Sequence, residues 1–250
     1  MSEEAVGEAI ERTRVVVELG TEAEPLLIRI SIGPPPTGIS SFDSYALRID
    51  AGWIFIDPVR PARDAVERLA HLIRGRPVAT VLTSDGHERF CYAVREQWGT
   101  PVWGPVLGRR DAAYGGRPDH YSAYCGQPDH FYTEGDSLPG GLRPLKLAGL
   151  WRGDHALLWE PPDGGGFLFT GDVLNGQVET DLAHADHFRC QPGLYFGSRP
   201  RYVERHANPS ALKASLERLL REEVDVIAGS HSRPFRDDPR TALAQLIETV

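Results

Sequence analysis

Three short apolar runs constrain this chain more than any other feature. Residues 78–82 (VATVL) and 167–170 (FLFT) are continuous, and 224–228 (VDVIA) nearly so. Runs of this length suit strands covered on both faces, where neither face can be polar. Each is followed within a few residues by a chemically capable side chain: Thr83, Asp172 after Gly171, and His231 after Gly229-Ser230. Residues at strand ends and in the loops beyond them carry function more often than residues within strands. The three ends are therefore expected to meet at one cleft edge.

The remaining pattern supplies the layers. Residues 14–19 and 25–32 read as strands, the second stopped by Gly33-Pro34-Pro35-Pro36, since proline cannot donate to a ladder. Residues 44–49 and 53–56 read as a hairpin around Asp50-Ala51-Gly52, ended by Asp57-Pro58. Ala62, Val66, Leu69, Leu72 and Ile73 then fall on one helical face. A second helix is expected over 87–98 and a short strand over 101–103. Residues 108–135 read as a long loop holding two similar turns, RPDHY and QPDHF. Strands follow at 142–147 and 155–159. Asn208-Pro209 and Asp238-Pro239 each start a helix with a capping residue and proline at the first helical position. Each half runs strands first and then helices. This fits a single α/β domain over residues 1–250, a four-layer αββα sandwich with a long loop inserted near 108–135.

Composition narrows the partners. Asp plus Glu outnumber Lys plus Arg by 35 to 27, a net charge of −8, which argues against a nucleic-acid face. No apolar run approaches a membrane span of about 20 residues. The start, MSEEAVGEAIERTR, lacks the basic and apolar regions of a secretory signal, and three widely spaced cysteines suit a reducing cytoplasm. Cys91 reads as a core thiol. No P-loop, GxGxxG or GxSxG follows a strand, so no nucleotide cofactor is expected.

Four segments in order resemble the metallo-β-lactamase fold superfamily: 44–57 as its opening hairpin, Thr83-Ser84-Asp85-Gly86-His87-Glu88-Arg89 at its metal motif, Thr170-Gly171-Asp172 at its bridging aspartate, and Gly229-Ser230-His231 at its last histidine. The resemblance covers roughly residues 25–235 and implies hydrolysis of a small ester, thioester, lactone or amide-type bond with metal help. The family motif is Thr-His-x-His-x-Asp-His. Aligned without gaps, this chain has Ser84, Gly86, Glu88 and Arg89 at the ligand positions, and Leu150 replaces the middle histidine. A two-metal centre is therefore not expected.

What remains implies at most one weakly held Zn or Fe ion, or none. Its candidate ligands are Asp172, His231, His87, Asp85 and Glu88. His87 is one step out of register and enters the set if the loop bulges inward; the alternative is a local helix-start histidine. The residues assigned to catalysis are Asp172, His231, His87 and Arg89, whose guanidinium falls at a lost ligand position and is expected to neutralise Asp172 or Glu88. Tyr121, Tyr124 and His130 are assigned to substrate binding, and Tyr121, Tyr124, Phe131 and Tyr132 give the long loop an aromatic surface. It reads either as a lid on a small-molecule ligand or as a contact in a homo-oligomer. His184-Ala185-Asp186-His187 mimics part of the motif but stands in the wrong place, and reads as loop. Three functions stay open: an altered hydrolase, a metal-free relative binding a small molecule or doing acid/base chemistry, and a non-catalytic oligomeric module.

Overall fold

The computed structural model describes residues 13–33, 42–87, 89–106, 127–150, 153–162, 164–176, 193–196 and 208–250. Seven strands form the first sheet in chain order: β1 (Thr13–Gly20), β2 (Pro25–Ile32), β3 (Phe42–Ile49), β4 (Gly52–Ile56), β5 (Pro77–Val81), β6 (Val102–Pro105) and β7 (His130–Tyr132). Strands β1 to β4 form an antiparallel meander, and β4 to β7 are parallel. The second sheet has the order β13 (Val226–Gly229), β10 (Phe167–Gly171), β9 (His155–Trp159), β8 (Arg143–Lys146). In it β10 and β13 are parallel neighbours. A small ribbon pairs β11 (Leu174–Asn175) with β12 (Tyr195–Phe196). The helices are α1 (Arg63–Leu72), α2 (Cys91–Trp98), α3 (Pro209–Leu219) and α4 (Pro239–Ile247). No helix among the described residues is long and apolar enough to cross a membrane.

Strand alternation builds the layers. Leu47, Ile54, Ile56, Ala79 and Val81 from the first sheet meet Leu157, Phe167, Phe169, Val226 and Ala228 from the second in one core between the sheets. The opposite face of the first sheet, with Ile28, Ala46, Trp53 and Phe55, is covered by Leu69 and Leu72 of α1 and Val94 of α2. The outer face of the second packs on Leu212, Leu216 and Leu219 of α3 and Leu243 and Ile247 of α4. This is the αββα order expected from the two strand-then-helix halves.

The expected boundaries hold to within a few residues except in two places. Helix α2 begins at Cys91 and not at residue 87, because Phe90 N–H donates to Pro58 C=O at 3.1 Å and His87 is used elsewhere. The stretch expected to be loop through 135 contains β7, which pairs with β6 at Trp103↔His130. Three residues are too few to show a period. Residues 107–126, with Tyr121, Tyr124 and Cys125, lie outside the described residues, as do Glu88, His184, His187 and Cys190. Cys91 is fully buried, as a core thiol should be.

One charged group is built into the first sheet. Arg29 on β2 is 3% exposed; its Nε donates to Glu18 at 2.9 Å and its Nη1 to Asp43 at 3.1 Å. Arg236 reaches the same Glu18 at 3.0 Å from the other sheet's side of the chain. Removing one member of a buried pair strands the other, at a cost of about 3 to 5 kcal/mol. Arg29→Ala is expected to lower unfolding free energy by that amount in urea denaturation. A loss below about 1 kcal/mol would place the pair in water.

Candidate active site

Two pairs of parallel strand ends build the site, one pair from each sheet. In the first sheet β4 and β5 run side by side, with Ile56 opposite Val81, so Asp57 emerges beside the loop that carries Thr83. Asp57 is 3% exposed, and its carboxylate is fully used. Oδ1 accepts Thr83 N–H at 2.8 Å, Oδ2 accepts the Thr83 hydroxyl at 2.6 Å, and Oδ2 stands 2.8 Å from His87 Nδ1. His87 N–H donates to Ser84 C=O at 3.1 Å, closing a turn through Asp85-Gly86 that swings the imidazole inward. The turn absorbs the one-residue offset in the motif.

In the second sheet β10 and β13 run side by side, with Gly171 opposite Gly229. Asp172 and His231 follow those glycines, and His231 Nε2 lies 2.9 Å from Asp172 Oδ1. Across the cleft, His87 Nε2 lies 2.9 Å from the same oxygen. Both contacts have ion-pair distance without hydrogen-bond alignment, for His87 Nε2 and Asp172 Oδ1 are buried and lack an aligned partner. Gly171 makes the approach of the two halves feasible. Its φ is +55°, and a Cβ there would collide with the Thr83 hydroxyl and press His87 Cε1 at 3.1 Å.

Asn175 holds the second pair together. Its Oδ1 accepts His231 N–H at 2.9 Å and its amide donates to Asp172 C=O at 3.3 Å. Ser230 N–H donates to Gly171 C=O at 2.8 Å, and Asp43 N–H donates to Ser230 C=O at 2.7 Å, which joins this loop to β3. The Tyr45 hydroxyl donates to Gly229 C=O at 2.9 Å.

Arg89 lies at the cleft wall. Its Nη2 is 3.9 Å from Asp172 Oδ1, its Nη1 donates to Asp43 C=O at 3.3 Å, and its guanidinium sits 4.9 Å over the Phe42 ring. Phe42 also meets the His231 ring at 5.3 Å. Asp85 is buried, 3.4 Å from the Ser84 hydroxyl. His130 is on the edge strand β7, its ring 4.3 Å from Trp103. The structure thus brings together Asp172, His231, His87 and Arg89.

Sequence reasoning missed Asp57, read only as a strand stop, and Asn175. It also missed Asp154, a buried carboxyl near Ser84, Asp85, His87 and Asp172. Burial pushes Asp154 up to about 7, against the hydrogen bond from Ser84 and the charge of His87. Burial opposes charge on His87 too, but Asp172 and Asp57 outweigh it and raise its pKa to about 9. Burial alone would raise the pKa of Asp172, yet the charges of His87 and His231 hold it well below the usual carboxylate range.

Among the described residues no group of three or more His, Cys, Asp or Glu side chains stands ready around a vacant point for a metal ion. The two imidazoles and the carboxylate converge on one another instead. Their donor chemistry nonetheless fits a single ion. Two imidazole nitrogens and one carboxylate oxygen are a familiar set for Zn or Fe. The carboxylate on His87 Nδ1 is the outer partner that metal-binding histidines usually have. The misaligned, buried His87 Nε2 and Asp172 Oδ1 have no hydrogen-bond partner.

No protein-family model and no curated protein sequence matches the chain. Solved structures do. A metallo-beta-lactamase from Pontibacter korlensis shares 14% identity over 96% of this chain and 100% of that one, with a TM-score of 0.61. The metallo-beta-lactamase FIM-1 from Pseudomonas aeruginosa, in a mono-zinc form, shares 13% over 94% and 95%, with a TM-score of 0.60. TTHA1623, in a di-iron-bound form, shares 21% over 88% and 99%, with a TM-score of 0.55. At these identities the likeness speaks to architecture: the chain has the metallo-β-lactamase fold and is a divergent example of it.

A pH prediction follows from His87. In protein freed of divalent ions its folded pKa of about 9 lies above the ordinary 6.5. The folded state then holds a proton that the unfolded chain has released. This stabilisation is full below about 6.5, and is lost as pH rises through about 9, with a slope of up to about 1.4 kcal/mol per pH unit. Urea denaturation in chelator is expected to show this decline, and His87→Asn to remove it.

Proposed function

We propose that this protein is a hydrolase with one divalent metal ion held by His87, His231 and Asp172, acting on a small ester, thioester, lactone or amide-type bond. The observation that carries the reading is the convergence of His87 Nε2 and His231 Nε2 on Asp172 Oδ1, each at 2.9 Å and without hydrogen-bond alignment. A Zn or Fe ion there would supply a Lewis acid for a carbonyl oxygen and would acidify water toward neutrality.

The chain's own residues divide the remaining work. Asp57 fixes the His87 Nδ1 proton and so leaves the Nε2 lone pair facing the cleft. Asp154, with its pKa near neutrality, is suited to exchange a proton with the reacting groups. Arg89, held by Phe42 and Asp43, presents a cation toward Asp172 and toward negative charge developing on substrate. Ser84, Gly86 and Leu150 at the family's other ligand positions leave no set for a second ion.

A metal-free binding or acid/base function is the second reading. It is favoured by the cleft's own cations, Arg89 at 3.9 Å from Asp172 and a His87 charged to about pH 9. Metal analysis after Zn²⁺ or Fe²⁺ loading separates the two. The hydrolase reading expects up to one equivalent, lost in Asp172→Asn and in His231→Ala. It also expects ester or thioester hydrolysis that chelator abolishes, with a fall of about 100-fold or more in Asp154→Asn, the size of a lost acid/base group. Two tightly held equivalents would overturn the ligand set. No binding by folded protein would leave the metal-free reading.

A further inference from the structure

We propose a second binding site, behind the catalytic cleft, for a small amphipathic carboxylate with an unbranched apolar tail. It is a cavity of about 740 Å³ between α1, α2 and the outer face of the first sheet. That volume lies within the range of small-molecule pockets, about 300 to 1,000 Å³.

The cavity has a polar end and an apolar end, and the topology sets which is which. Helix α1 leaves the end of β4 and returns to the start of β5. Arg60 and Arg63 therefore stand at the end where β4 finishes. Ser44, on β3 just beyond the Tyr45↔Ile56 pair, stands at that end too. Ile73, Gly75 and Pro77 line the other end, about 15 Å along a ten-residue helix. Between them the walls are Phe55, Leu69, Val94 and Trp98.

Three observations at the polar end point to a ligand. Ser44 lines the cavity, and its fully buried hydroxyl has no hydrogen-bond partner. A buried, unsatisfied hydroxyl costs about 1 to 3 kcal/mol, a penalty that a bound acceptor removes. Arg60 and Arg63 are exposed at the mouth, with no ion-pair partner among the described residues. Helix α1 starts without a side-chain cap, so the helix terminus adds its own positive end to the two guanidinium groups. Along the walls, Val66 and Trp98 are two of only four large hydrophobic side chains exposed among the described residues. A carboxylate head answers the hydroxyl and the arginines, and an apolar tail covers Trp98 and Val66.

The cavity is distinct from the cleft but shares a wall with it. Pro58 and Phe90 line it and are joined by the 3.1 Å backbone bond; they are the immediate neighbours of Asp57 and Arg89. The inference stands whether or not the cleft holds a metal.

The test is calorimetric titration of the 250-residue chain, in chelator, with decanoate. Saturable binding of one equivalent is expected, with a Kd below about 1 mM, accompanied by a change in tryptophan fluorescence. The double variant Arg60→Ala/Arg63→Ala, and separately Ala70→Trp at the exposed rim, should weaken binding at least about tenfold. Ser44→Ala should weaken binding while leaving the free protein as stable as before or more so, which a merely structural serine would not do. Asp172→Asn should bind as the parent does. Decylamine should bind at least about tenfold more weakly than decanoate. No decanoate binding overturns the site. Equal binding of the amine, or loss of binding in Asp172→Asn alone, overturns it as well.

Discussion

The Asp57 carboxylate is the contact on which the rest of the site depends. It sits where two parallel strands end, almost without solvent, and its two oxygens serve the Thr83 amide, the Thr83 hydroxyl and the His87 ring. A buried carboxylate is tolerable only when its lone pairs are answered in this way. By answering them, the loop after β5 takes one conformation. That conformation decides that His87 faces Asp172 and that α2 starts late. An amide at position 57 would turn a donor toward one of these donors and leave the imidazole free to choose its tautomer.

The layers were legible in the sequence because burial leaves a period. Residues 25–32 and 155–159 match their strands to the residue, and Asn208 and Asp238 cap their helices through Ala211 and Thr241, as side chains of those types do. Strand β7 was hidden because three residues carry no period and its partner β6 lies across residues 107–126. The site was partly legible. Asp172 and His231 follow apolar runs, and so could be placed by position. His87 could be placed only by allowing an offset, and the Ser84–His87 turn is what realises that offset. Asp57, Asn175 and Asp154 were not legible, since each acts through a partner distant in sequence. Asp57 meets His87 after 30 residues, and Asn175 meets His231 after 56.

Charge placement separates this cleft from a plain apolar fold. Arg29 holds Asp43, whose backbone in turn accepts from Arg89 and donates to Ser230. A buried ion pair on β2 thus reaches both walls of the cleft through one residue of β3. Such pairs are poor sources of stability relative to apolar replacements, but their directionality restricts the arrangements open to their neighbours. Here they fix where a cation stands relative to Asp172.

The division of the site between the sheets has a mechanical consequence. Asp57 and His87 hang from one sheet, Asp172 and His231 from the other, and the carboxylate oxygen between the rings is the meeting point. Whatever occupies that point is a rivet through the sandwich. Occupancy adds its binding free energy to the cohesion of two layers, so an emptied cleft loosens the seam between the sheets. A group bound there would join the two sheets as well as the two rings.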